Sequence, residues 1–440
     1  MASVGEGNPS GEVIPARRHI PPVLGWLGAI LLFALAVAIA TRTVVVNLEA
    51  DLTAAGGSLW DFRDASFYSV RAVLDGLVPY DVNDYFVAYP VAQEFPLLPP
   101  SFLVLHAPFQ AVAFTTAATA MTAISLIGIV AMSAWVLFLA RYPVRPVAVL
   151  VVSGLAILSN GGRNLLFSGQ SSLVFIAGAY LAITSVRVAP GSVGVFIALI
   201  KPSFGLPVAA LLASSGRWRR AVVGSSVAFV VSAVLMVPFI AWSGGVGDLI
   251  DTLSDNATFS AASEWVALET TTGRVDFAAT IAMVTDLVPS GVGEIVIGFG
   301  LIAIGAGVLW VRRRTVWGGT HRDAAVILIV LATVLGVYHS FYDLLILLLP
   351  AVLLTRSDFA GGSVSRPLRW SLLGLVLFAS FNPFRIDQVI SALTDSERLV
   401  RVLGPGLTGV SLSVAFVLTA VVVARVPEPM TGHSVREHID

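Results

Sequence analysis

Four stretches of this sequence carry side chains that can move protons or hold anions. The first reads LWDFRDASFYSVRAVLDGLVPYD and sets Asp64, Tyr68, Arg71 and Asp75 at i, i+4, i+7 and i+11. On a helix that spacing makes one polar stripe. A carboxylate in it can accept the proton of an attacking hydroxyl, and Asp61, three residues earlier, is a rival for the role. The second stretch, NGGRNLLFSGQSSLVF, brings Asn160, Arg163, Asn164, Ser168 and Gln170 together as hydrogen-bond donors. The third is Lys201-Pro202, in an otherwise apolar run. A lysine at the centre of a membrane helix costs about 2.5–3.5 kcal/mol, so it faces a cavity, an acid or a phosphate. The fourth, VYHSFYDLLILLLP, packs Tyr338, His339, Tyr342 and Asp343 into one short turn, a pocket wall in the making. Plainer readings stand beside these: a solvated helix face, a polar turn, and a lysine snorkelling to the surface.

The elements that position these groups are membrane helices. Of 440 residues 56% are hydrophobic and only 12% charged, against roughly a quarter charged in soluble domains. A net charge of −1 gives no bulk attraction to nucleic acid, and the absence of cysteine excludes disulfides and thiolate chemistry. Spans of about 20 apolar residues are predicted near 22–46, 114–140, 146–160, 170–186, 219–243, 290–311, 323–338, 342–356, 368–384 and 405–424. The stretches 97–112 and 190–214 are predicted to be re-entrant or broken, the second at Lys201-Pro202. With that topology 17 of 25 arginines fall on the side of both termini, and 20 of 27 acidic residues fall on the other. The positive-inside rule then makes the arginine side cytoplasmic. The expected class is an all-α polytopic membrane protein with about 10–12 transmembrane or re-entrant helices. It consists of a disordered tail over 1–20, one membrane domain over 21–425 with outer loops at 47–96, 244–289 and 385–404, and a tail over 426–440. In the first loop the pattern predicts a surface helix from Asp64 to Leu77, ended by Gly76, with Phe67, Val70, Leu74 and Leu77 as its apolar stripe. Glu294 is expected to be a structural hydrogen-bond partner.

In order along the chain, several motifs resemble glycosyltransferase family 87, the DUF2029 group of polyprenyl-phosphate-dependent membrane glycosyltransferases. They are Asp64-x-x-x-Tyr68 followed by Arg71-Ala72, Gly76 and Pro79-Tyr80; Pro99-Pro100; Gly169-Gln170; Ile200-Lys201-Pro202; and Tyr342-Asp343-Leu344 leading to Pro350. The sequence departs from the family pattern at Phe67, at Leu98 and at Tyr342-Asp343, where some members carry a His pair.

The resemblance implies a GT-C-like fold in the plasma membrane and an inverting transfer at its outer face. The sugar, mannosyl or arabinofuranosyl or related, would pass from a polyprenyl-phosphate donor to a lipid-linked or cell-envelope glycan. It implies Asp64 as general base, with Arg163, Arg71 and Lys201 as cations for the leaving phosphate. Tyr68, Asn164, Gln170, His339, Tyr342 and Asp343 complete the expected substrate-binding set. No cofactor or metal-ligand cluster is expected. A secondary transporter or lipid-sugar flippase is the alternative, one that leaves the acid stripe of the first loop unused.

Overall fold

The computed structural model describes residues 22–48, 59–263, 266–318, 321–385, 389–390 and 393–425. The two tails, and parts of the first and last loops, lie outside the described residues. What is described is all-α, with one isolated β-bridge between Arg274 and Ser340. In chain order the helices are α1 (Pro22–Leu48), α2 (Trp60–Phe62), α3 (Tyr68–Leu74), α4 (Val82–Ala88), α5 (Pro100–His106) and α6 (Phe114–Leu139). Then come α7 (Pro146–Leu158), α8 (Asn160–Ser168), α9 (Ser172–Thr184), α10 (Val188–Leu199), α11 (Pro202–Leu212) and α12 (Trp218–Trp242). After them follow α13 (Val246–Ala261), α14 (Phe277–Thr285), α15 (Gly291–Val311), α16 (Arg322–Gly336), α17 (Leu348–Thr355), α18 (Arg366–Phe381) and α19 (Leu407–Arg425). Among the described residues six helical stretches are long and apolar enough to cross a membrane, and a seventh is the pair α7 and α8, bent by 70°. The predicted spans agree with the helices to within a few residues, because continuous apolar runs are the strongest signal a membrane chain carries.

At one end of the bundle the arginines close helix ends. Arg217 donates to the Ile183 carbonyl at 2.5 Å, Arg220 to Ser185 at 2.6 Å and Arg322 to Thr184 at 2.7 Å. These are the last carbonyls of α9, which have no partner inside the helix. From this arginine end α10 rises and α11 returns, so Lys201 caps a hairpin of half-length helices. The stretch 190–214 is broken where expected. A second turn at Gly216, with φ of 90°, leads into α12.

Close helix approach depends on small residues. A Cβ on Gly194 would stand 2.3 Å from the Ala182 nitrogen, and one on Gly178 2.7 Å from the Ala198 nitrogen. At the α7–α8 bend a Cβ on Gly162 would stand 1.9 Å from the Ala156 carbonyl oxygen. Gly162→Ala therefore has to open the bend, and overpacking of this kind costs about 1–3 kcal/mol. A lower melting temperature in detergent, with Gly374→Ala (open space around its Cβ) as the neutral control, is the expected result.

The first loop departs from the predicted single helix. It begins earlier, at Trp60, and a π-helical turn over Arg63–Phe67 adds one residue before α3. The inserted residue breaks the phase. Asp64 is fully buried, whereas Arg71 and Asp75 pair with each other on the exposed face at 3.1 Å. Asp64, Tyr68, Arg71 and Asp75 thus do not share a stripe, and of the expected apolar stripe Leu74 is exposed while Phe67 and Val70 are buried. Gly76 does end the helix, at φ of 81°.

Candidate functional site

The polar groups gather at the end of the bundle opposite the arginines, in two tiers. The lower tier is buried and centred on a fully paired Asp343, although His339 Nε2 has no hydrogen-bond partner among the described residues. Asp343 receives Lys201 Nζ at 2.7 Å on both oxygens, Ser172 Oγ at 2.7 Å and His339 Nδ1 at 2.9 Å. The Lys201 ammonium also lies 4.8 Å from the Tyr342 ring and 5.2 Å from that of Phe204. Three elements meet here: the break between α10 and α11, the start of α9, and the turn before α17. Asp343 also closes a capping box with Ser340 at the start of that turn.

Asp64 is paired as completely as Asp343. Its Oδ1 takes Arg63 Nε at 2.5 Å, and its Oδ2 takes Arg63 Nη2 at 3.1 Å and the amides of Ala92 and Gln93 at 2.9 and 3.1 Å. The Tyr85 hydroxyl donates to its backbone carbonyl. Burial pushes the Asp64 carboxyl up from the usual range, opposed by Arg63 and the two amides. The side chain ties the first helix to the 92–93 turn.

The upper tier is half-buried: Asp61, Gln170, Tyr338 and Tyr342, with Arg163 and Asn164 to one side. Asp61 accepts from Gln93 Nε2 at 2.8 Å, and Ser168 and Gln170 approach the same carboxylate. It lies within electrostatic reach of Tyr338 and Tyr342. Burial pushes its carboxyl above the usual carboxylate range; the bonds from Gln93, Gln170 and Ser168 oppose that, and the Asp64 charge adds to it. Helix α8 carries the rest. Arg163 Nη2 donates to Asn160 Oδ1 at 2.6 Å, Asn160 Nδ2 donates to the Asn382 carbonyl at 3.3 Å, and Arg163 Nε is buried without a partner. Asn164 donates back to the Asn160 carbonyl at 2.9 Å. Helix and first loop are fastened together by the Leu59 amide on the Phe167 carbonyl at 2.6 Å and by the edge-on rings of Trp60 and Phe167.

A family model bears on this arrangement. Glycosyltransferase family 87 matches residues 97–340, more than half of the 440. The chain belongs to glycosyltransferase family 87. No curated protein and no solved structure gives a match. It is thus a membrane glycosyltransferase. The family 87 match takes in Arg163, Asn164, Gln170, Lys201 and His339, begins after the first loop and ends two residues before Tyr342.

Of the residues singled out from sequence, the structure brings Gln170, Tyr342, Lys201, His339 and Asp343 to one end of the bundle with Arg163 and Asn164 adjoining. Tyr68 stacks with Phe114, at 6.1 Å between centroids, and leans on Tyr89. Arg71 points away to Asp75. Sequence reading missed Arg63 and Gln93 as carboxylate partners, and nothing in their local pattern announces the role. Arg274, a reserve candidate for the phosphate, is instead buried against Asp276 at 2.7 Å and Glu294 at 2.5 Å and faces the Tyr338 ring at 5.1 Å. Glu294 has the structural role its position implies.

Proposed function

We propose that this family 87 enzyme transfers a mannosyl, arabinofuranosyl or related residue, with inversion, from a polyprenyl-phosphate sugar to a lipid-linked or cell-envelope glycan at the outer face of the plasma membrane. One observation carries the mechanism: a half-buried carboxylate and a half-buried arginine lie towards opposite ends of the short helix α8. Ser168, beside Asp61, and Arg163 are five residues apart, about 7.5 Å along the axis. Inversion needs the attacking oxygen and the leaving oxygen on opposite sides of the anomeric carbon. In this reading Asp61 accepts the acceptor hydroxyl proton as that oxygen bonds to the anomeric carbon. The bond from that carbon to the phosphate oxygen breaks, and the phosphate dianion leaves towards Arg163. A phosphate is a stable anion, so a cation with a free N–H serves it better than an acid would.

The base moves from Asp64 to Asp61 for a geometric reason. A general base must offer a lone pair to substrate, and Asp64 is fully enclosed with four N–H donors on its two oxygens. Lys201, His339 and Asp343 become the floor that holds Tyr342 and the α9 terminus in place. Incubating the purified enzyme with a panel of polyprenyl-phosphate sugars and glycolipid acceptors, and reading products by mass spectrometry, tests the reaction. Transfer from nucleotide sugars alone would overturn it.

Sidedness follows from the arginine end being cytoplasmic. Because the sequence lacks cysteine, Asp251→Cys on exposed α13 and Arg314→Cys on the opposite end are clean probes. An impermeant thiol reagent on intact cells is expected to label position 251 and spare 314. The reverse pattern would put the site on the cytoplasmic side.

A further inference from the structure

An apolar groove of 470 Å³ runs along the bundle between α7, α17 and α18, within the roughly 300–1,000 Å³ typical of ligand sites. Ala148, Val152 and Leu155 line it from α7, Leu348 and Val352 from α17, and Leu377 from α18. From Ala148 to Ser159 its wall is twelve residues, about 16 Å along the chain's helical rise, over half the ~30 Å hydrocarbon core. Its two ends differ. Towards the arginine end Tyr142 and Thr355, both lining residues, hydrogen-bond to each other at 2.9 Å and close it. At the other end it finishes at Ser159, Ser380 and Phe381. Ser159 caps α8 by accepting the Gly162 amide, and Asn160 bonds to Asn382, which follows α18. Arg163, fixed on Asn160, therefore stands one hydrogen bond beyond the mouth with its Nε unpartnered.

We propose that this groove seats the hydrocarbon chain of the lipid donor, with the phosphate at its mouth on Arg163. The inference rests on the lipid-phosphate donor of the preceding reading. A slot that is apolar along its length, closed at one end and open at the other beside the helix that carries Arg163 matches a single long chain with one terminal anion. A two-chain phospholipid would leave one tail outside the slot. The groove then sets the register of the sugar: with the phosphate anchored at Arg163, the anomeric carbon is directed along α8 towards Asp61.

Two measurements test this independently. In nanodiscs, a polyprenyl phosphate with a diazirine in its first isoprene units, and no sugar, is irradiated with the wild-type enzyme. Crosslinks within 148–159, 344–355 or 373–381 are expected, and a hundredfold excess of dioleoyl phosphatidylglycerol is expected to leave them in place. Crosslinks confined to other helices, or erased by the phospholipid, would overturn the proposal even if transfer is observed. The second measurement compares Ala351→Trp, which fills the groove, with wild type on a full-length donor and on a ten-carbon donor. The ratio of long-donor to short-donor KM is expected to rise at least tenfold. An unchanged ratio in an active variant would place the chain elsewhere and leave the reaction itself intact. Absence of transfer from either donor by wild type would instead remove the reaction, while the crosslinking result still decides the groove.

Discussion

Replacing Asp61 by asparagine is expected to slow sugar transfer at least about a hundredfold, since general-base assistance contributes about 10²–10⁴-fold. Asparagine keeps the size and can still bond to Gln93, but it accepts no proton. The protein is expected to remain folded. Its carboxyl is held above the usual range by burial, so the ionised form is the one the fold disfavours. The sign for activity is then settled: kcat/KM falls as pH drops through that raised value, because the base must be ionised to act. The variant is expected to lose this acidic limb as well as rate. Asp64→Asn is the informative contrast. It removes the Asp64 charge from beside Arg63 and puts an amide against the Ala92 and Gln93 N–H groups, so it is expected to lower the melting temperature. A folded Asp64→Asn enzyme at a hundredth of the rate, beside a near-normal Asp61→Asn enzyme, would return the base to Asp64.

Lys201→Met is expected to destabilise the protein by about 3–5 kcal/mol, the scale for removing one partner of a buried ion pair. Asp343 would keep a full charge in a buried site, with only His339, Ser172 and the Ser340 amide against it. Restoring neutrality with Asp343→Asn in the same chain is expected to recover part of the loss, which a phosphate-binding lysine would not show. Melting curves in detergent check the first part and the double-mutant cycle checks the second. If Lys201→Met melts like wild type but weakens donor binding, the lysine serves the phosphate.

The two substitutions also show what a sequence exposes and what it hides. The spans were readable because each is an apolar run whose length matches a membrane, and the hairpin at 190–214 because Lys201-Pro202 interrupts one. That Lys201 faces a cavity, an acid or a phosphate was readable too, from the cost of its charge. Which of these it meets was not, since Asp343 lies 142 residues away and no local pattern joins the two. The first loop failed for another reason. A π-helical turn adds one residue without changing composition, yet it rotates everything before it by about a quarter turn or more relative to α3. The same heptad-like spacing that puts Asp64 beside Arg71 on an ideal helix puts it inside the protein here, and leaves Asp61 facing Gln170.

The half-length hairpin has a consequence for how the chain is made. Helices α10 and α11, of 12 and 11 residues, are each too short to cross a bilayer, and the residue between them is a cation. When this hairpin leaves the ribosome, the carboxylate that neutralises it has yet to be synthesised. Its insertion alone is unfavourable by about 2.5–3.5 kcal/mol for the lysine. Burying the hairpin with its charge paired therefore requires the turn bearing Asp343, 142 residues further along the chain. The ion pair that holds the hairpin is in that respect a late contact, one that can close only after residue 343 has been made.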